Sequence, residues 1–295
     1  MKRLLLALLR AFATLAGIWL LVNLLPRILP EDTARIAAGE WATAAEVQAM
    51  RRLMGLDLPW PRALARSLTA LCHGDLGWSL RHNCNVSKLL AQGFPVSLRL
   101  ALLALATSML LAFALAWWHS RTSRLLQAMA IAAPVYVAGP ILLWLVAQHV
   151  SWIPVAGIQG WQAWLLPSLA LAIPLAGHQA RIIATQLEEL REGLGLRWWQ
   201  GCGVPHGLRI RHWILPGISG PWLTVVGLQL GGLLGGAVLV ETIFAIPGLG
   251  QLLVGALSSR DLPVIQGAVL LGASLYVLTQ LLVEWAQTLL DPRLR

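Results

Sequence analysis

The sequence predicts an all-α, polytopic membrane protein with six transmembrane helices, and three observations carry that prediction. Of 295 residues, 57% are hydrophobic and only 12% charged, about half the roughly 25% charged content of a soluble domain. Six apolar segments are each long enough for a bilayer crossing, which takes roughly 20 residues as a helix. Basic residues cluster in alternate connections between those segments, the pattern that sets membrane orientation. The net charge of +9 does not indicate nucleic-acid binding. Only two of the 22 basic residues are lysines, and the arginines lie in short blocks between apolar runs.

The first segment, residues 4–25, follows Met1-Lys2-Arg3 and is a largely apolar stretch of 22 residues. A secretory signal has an apolar core of roughly 7–15 residues and a small-residue cleavage site. This segment ends instead at Leu24-Leu25-Pro26-Arg27, so it reads as an uncleaved first span. Residues 26–95 form a long connection with their own helices. Ala44 to Met54 has helical spacing, with Ala45, Val47, Met50 and Leu53 apolar and Glu46, Gln48, Arg51 and Arg52 polar. Asp57-Leu58-Pro59-Trp60-Pro61 breaks the helix, and Arg62 to Leu71 is a second candidate. The remaining spans are expected at 96–118, 126–150, 162–184, 215–240 and 263–289. The fourth is the most polar, diluted by Pro167, Pro174, His178 and Arg181.

Lys2, Arg3, Arg10, Arg121, Arg124, the arginines of 181–211, and Arg293 and Arg295 define one side of the membrane; the connection 151–161 carries no charge at all. Both termini are therefore expected in the cytoplasm, with 26–95 as a helical cap outside. The eight basic residues of that loop do not oppose this, because long loops translocate largely regardless of charge. The expected division is an N-terminal anchor (1–25), the cap (26–95) and a five-helix core (96–295) with a cytoplasmic connection at 185–213.

Candidate functional residues follow from polar groups where lipid should be. Val240-Glu241-Thr242-Ile243-Phe244-Ala245-Ile246-Pro247-Gly248 ends the fifth span, and an intramembrane or membrane-edge carboxylate is a functional hypothesis by default. Glu241 is expected to face a pathway or partner subunit, with Pro247 and Gly248 folding the next loop back. His178 must face a cavity or a neighbouring helix. Gly227, Gly231, Gly232, Gly235 and Gly236 have the spacing that lets helix backbones approach in lipid, so Gly231 and Gly235 are placed at an interface with a partner, packing within the chain being the alternative. Cys72 and Cys84 either form a disulfide, which an oxidising exterior permits, or stand as separate thiols. With His73 and His82 they could make a soft-metal site, but the spacing matches no recognised pattern, and no metal site is assigned. No G-x-x-x-x-G-K-[ST], H-E-x-x-H or G-x-S-x-G motif occurs, so neither nucleotide binding of that kind nor hydrolytic catalysis is expected.

Several blocks in order, Gly55-Leu56-Asp57-Leu58-Pro59, Gly74-Asp75-Leu76-Gly77-Trp78-Ser79, Thr224 to Gly232, Val240 to Phe244, Pro247-Gly248-Leu249-Gly250, Arg260-Asp261-Leu262-Pro263-Val264-Ile265-Gln266-Gly267 and Leu290 to Arg295, resemble permease subunits of the peptide/nickel group of bacterial ABC importers. The chain looks like the first permease of such a pair. The resemblance implies the type I ABC importer permease fold in the bacterial inner membrane. It also implies a second permease, two cytoplasmic ATPases that use ATP and Mg, and an extracytoplasmic solute-binding protein. This chain would bind no cofactor and only membrane lipid besides those partners. The ATPase-docking loop falls on Glu189, Arg191, Arg197, Trp198, Trp199, Gly203, Arg209, Arg211 and Pro216. It departs from the family in carrying Gln200-Gly201-Cys202 where alanines are usual. Among the family's substrates, the Ala44–Met54 helix suggests nickel or a metal–chelator complex. Di- or oligopeptides are the alternative, and a membrane subunit that docks a partner without transporting anything is a reading from another class.

Overall fold

A computed structural model of the chain describes residues 2–28, 32–39, 41–79, 81–117, 121–150, 152–154 and 156–290. Helix α1 (Lys2–Ile28) is followed by three short helices, α2 (Thr33–Ala38), α3 (Ala44–Leu53) and α4 (Trp60–Cys72). A small hairpin, β1 (Trp78–Ser79) with β2 (Cys84–Asn85), leads into α5 (Val86–Trp117). Then come α6 (Arg121–Ala132), α7 (Val135–His149), α8 (Leu165–Glu192), α9 (Leu194–Gly201), α10 (His206–Arg209), α11 (Leu215–Ile243), α12 (Leu249–Ser259) and α13 (Leu262–Leu290). All six expected spans are thus helical, but three differ from expectation.

The second begins ten residues early, since α5 carries Pro95 inside it and runs for 32 residues. The third is not one straight span. Its two halves meet at a 108° bend, where Pro134 cannot donate a backbone hydrogen bond and its ring disfavours helix at Ala133. Among the described residues, four helices are long and apolar enough to cross a membrane, or five counting the bent pair as one; α8 is not among them. Its burial explains why. Ala170, Ala172, Ala176, Gly177, Gln179 and Ala180 are all buried, so α8 faces protein rather than lipid and needs small residues more than hydropathy.

The chain packs as two units, Met1–Ser97 with Pro247–Val277, and Leu98–Ile246 with Leu278–Arg295. The linear division into anchor, cap and core is therefore not how the chain packs, because 247–277 belongs with the N-terminal residues. In the first unit, Val86 and Leu90 of α5, Ala256 of α12, and Leu262, Val264, Ile265 and Ala268 of α13 are buried together. Gly267 permits the closest approach there, since a β-carbon on it would lie 2.7 Å from Val86. Helix α3 starts in a capping box: the Thr43 hydroxyl accepts from Glu46 N–H, and the Glu46 carboxylate accepts from Thr43 N–H at 2.7 Å. The hairpin was not visible in the sequence, being two residues per strand.

In the second unit, Ala112 and Ala116 of α5, Ala176, Ala180, Ile183 and Leu187 of α8, and Ile218 of α11 form the core. Gly177 lets α8 approach α6, as a β-carbon there would sit 2.9 Å from Ile131. Helices α10 and α11 are continuous through a π turn at Ile210–Ile214, with Leu215 N–H donating to Ile210 C=O. The turn lies directly before Pro216, which has no N–H to give to the carbonyl of His212, so the ladder slips by one residue.

Candidate functional site

Three sequence blocks singled out above converge in the first unit. Pro247 and Gly248 lead into α12, whose first N–H, from Leu249, donates to the buried Ser97 hydroxyl at 2.8 Å. Helix α5 passes so close that a β-carbon on Gly93 would lie 3.2 Å from Leu249 N. A groove lined by Arg81, His82, Gln92, Pro247, Gly248 and Gln251 opens beside this junction. Behind it, Ser79 and Asp261 meet across 182 positions of sequence. The Ser79 hydroxyl donates to Asp261 Oδ2 at 2.6 Å and accepts from His82 N–H at 3.1 Å. Both side chains are buried, and Asp261 Oδ1 has no hydrogen-bond partner. A buried carboxyl with one donor is a point of high energetic stake. Sequence reading quoted both residues only as parts of blocks and missed their pairing.

In the second unit, Glu241 is fully buried within the chain's own packing, so it does not lie on a surface of this chain. Its carbonyl accepts from Ile246 N–H at 2.8 Å, and Ala245 N–H donates to Thr242, the paired bonds of a Schellman cap. Ala245 occupies the left-handed position at φ +50°, where glycine is the ordinary occupant. The polar centre of the unit is Gln179, not its neighbour His178, which is exposed. Gln179 Nε2 donates to Ser108 Oγ at 3.0 Å and to Gln229 Oε1 at 2.6 Å, while Trp222 Nε1 donates to Gln179 Oε1 at 3.3 Å. Gln229 Nε2 donates onward to the Leu175 carbonyl. This network ties α5, α8 and α11 together. Of the glycines in α11, Gly227 meets Val283 of α13 within the same chain, while Gly232 faces open space; Gly231 is buried. The packing of Gly235 and the side chain of Arg197 lie outside the described residues.

The 185–213 connection folds as the end of α8, then α9 and α10. Helix α9 closes in a second Schellman cap, with Val204 N–H donating to the Trp199 carbonyl and Gly203 N–H to Gln200. Gly203 supplies the required left-handed residue at φ +69°, which gives the motif glycine a physical role. The two tryptophans are not equivalent. Trp198 is 67% exposed, whereas Trp199 packs beside Trp213, the rings tilted by 37° with centroids 6.2 Å apart. Gln186 Nε2 donates to Glu189 at 3.0 Å, and Arg191, Arg211 and Pro216 are exposed while Arg209 is half-buried.

Two sequence alternatives are decided against. Cys72 and Cys84 are free thiols: Cys72 ends α4, Cys84 sits in β2, and no bond joins them. Among the described residues, no group of three or more His, Cys, Asp or Glu side chains could hold a metal. His73 Nδ1 is hydrogen-bonded to the Thr69 carbonyl and His82 Nδ1 to the Ser79 hydroxyl.

Long apolar helices around a buried polar network define an integral, multi-pass helical protein. A crystal structure of an amino acid ABC transporter covers 70% of this chain and 94% of its own, with TM-score 0.53 at 19% identity; this shows the type I ABC importer permease fold. Residues 104–295 match the family described as binding-protein-dependent transport system inner membrane component. Among relatives, the glutathione transport system permease protein GsiC of Pectobacterium atrosepticum is 32% identical over 290 residues, 96% of this chain and 95% of that one. The probable peptide ABC transporter permease protein y4tP of Sinorhizobium fredii is 33% identical over 299 residues, 96% of each chain. The chain belongs to this family of inner-membrane permeases of ABC importers. Its named relatives carry glutathione and peptide in their names; neither is named for nickel or a metal chelate.

Proposed function

We propose that this chain is one of two permease subunits of an ATP-driven importer for short peptides, including glutathione-like tripeptides. The observation that carries the reading is full-length similarity, above 30% identity, to permeases named for glutathione and for peptide. The nickel reading rested on one helix of the N-terminal region and gives way to it. The helix in question, α3, is held by a local capping box that any such loop could use.

In this reading the second permease completes the pathway, one of the two ATPases docks on the 185–213 segment, and a solute-binding protein delivers substrate to the opposite face. Both termini lie on the ATPase side, as the arginine pattern implies. Trp198 is the anchor supporting the docking assignment: a large exposed indole on a short helix is the kind of residue that dominates interfaces. Trp199 and Trp213 brace that helix from behind. The Gln179 network supplies the joint between helices that must reorient together as the pathway alternates. Uptake by cells with and without the gene tests the reading. Loss of labelled glutathione or tripeptide uptake on deletion, with nickel uptake unchanged, supports it. Loss of nickel uptake alone, or of neither, refutes it.

A further inference from the structure

The first unit holds a cavity of about 260 Å³ along the last turns of α1, lined among others by Trp19, Asn23, Arg27, Arg66, Asp75 and Gln266. Two guanidinium groups converge there on one residue. Arg27 Nη2 donates to the Gly55 carbonyl at 3.2 Å and to the Leu58 carbonyl at 2.8 Å. Arg66 Nη1 lies 3.7 Å from where a β-carbon on Gly55 would stand. Gly55 adopts φ +67°, the left-handed turn that presents its carbonyl this way. Among the described residues, the one acidic side chain lining the cavity is Asp75, and its Oδ1 already accepts from Gly77 N–H at 2.9 Å. Trp19, also in the lining, keeps its indole N–H buried without an acceptor. The cavity is therefore rich in donors, carries two cations against one carboxylate, and has N–H groups of both arginines left to give.

Its depth identifies the ligand class. The apolar span of α1 is Leu6–Ile28, so Arg27 sits at the water edge and Trp19 lies roughly 12 Å along the axis towards the hydrocarbon. The cavity thus runs from the headgroup level at Arg27 into the acyl-chain layer at Trp19. Little of the apolar span of α1 is buried within the chain, so lipid can reach the helix from its open side. Arginine pairs with phosphate through two parallel hydrogen bonds. We propose that this cavity binds the phosphate of an anionic phospholipid headgroup, held by Arg27 and Arg66.

The test is native mass spectrometry of the full chain in detergent, titrated with dioleoylphosphatidylglycerol, with inorganic phosphate as the soluble-anion arm. Arg66→Gln should weaken lipid binding about tenfold, the size of one charge-assisted hydrogen bond. Arg62→Gln, an exposed arginine of the same helix outside the lining, should leave it unchanged. Thermal melting of each variant separates binding loss from unfolding. Equal lipid binding by wild type and Arg66→Gln, or equal loss in Arg62→Gln, overturns the site. Displacement of the lipid by millimolar phosphate overturns the lipid source and leaves a free-anion site.

Discussion

Removing the Ser79 hydroxyl should destabilise the first unit far more than its size suggests. The hydroxyl is the donor to Asp261 Oδ2 at 2.6 Å, and Asp261 Oδ1 is already without a partner. Ser79→Ala would leave the whole carboxyl, buried to 7% exposure, with no side-chain donor. Losing a hydrogen bond to such a group is worth about 1.5–3 kcal/mol, and the stranded oxygen adds desolvation to that. Because the contact joins positions 182 residues apart, the loss acts on tertiary structure rather than on one helix. At about 2 kcal/mol, the melting temperature should fall by roughly 4–8 °C. The assay is thermal unfolding of the purified protein, run as a cycle with Asp261→Leu and the double variant. The double should be less destabilised than the sum of the singles, since removing both partners leaves nothing polar unpaired. An unchanged melting temperature in Ser79→Ala, or strict additivity, would refute the reasoning.

Trp198→Ala should weaken association with the ATPase by roughly thirtyfold, the effect of truncating a hot-spot aromatic, while leaving the melting temperature intact; pull-down and melting curves check both. Trp199→Ala should do the reverse, lowering stability by stripping the Trp213 ring. Gly227→Ala should destabilise by about 1–3 kcal/mol through overpacking, because the added methyl collides with Val283; unfolding in denaturant measures it. Glu46 has its carboxyl held below the usual range, first by the Thr43 backbone hydrogen bond and then by the Thr43 hydroxyl. A depressed acid stabilises the fold above its unfolded value and loses that contribution as pH falls through the folded one. The protection factors of amides at the start of α3, with exchange corrected for its intrinsic pH dependence, should therefore fall as pH drops below about 4.5 and show no such fall in Glu46→Gln.

The helices were legible because apolar runs of bilayer length leave few other solutions. What escaped was rotational. His178 and Gln179 are adjacent, and a helix turns about 100° per residue, so one faces out while the other is buried. The stripe Ala172, Ala176, Gln179, Ile183, Leu187 contains Gln179 at helical spacing, so the signal for its burial is present in the sequence. The same holds for Trp199, three residues beyond the buried Leu196, against the exposed Trp198. Pro134 was also readable as a break in the third span. The Ser79–Asp261 pair was not readable, because neither local periodicity nor spacing relates residues so far apart. Likewise, Glu241 looked like a pathway residue from its position at a span's end, and its burial follows from packing that sequence alone does not show.

The most direct measurement is ATP-dependent uptake in proteoliposomes containing this chain with its second permease, its ATPases and its binding protein. The account predicts accumulation of labelled tripeptide or glutathione inside the vesicles, abolished when this chain is omitted, with no accumulation of nickel. Nickel uptake without peptide uptake, or peptide uptake that persists without this chain, would contradict it.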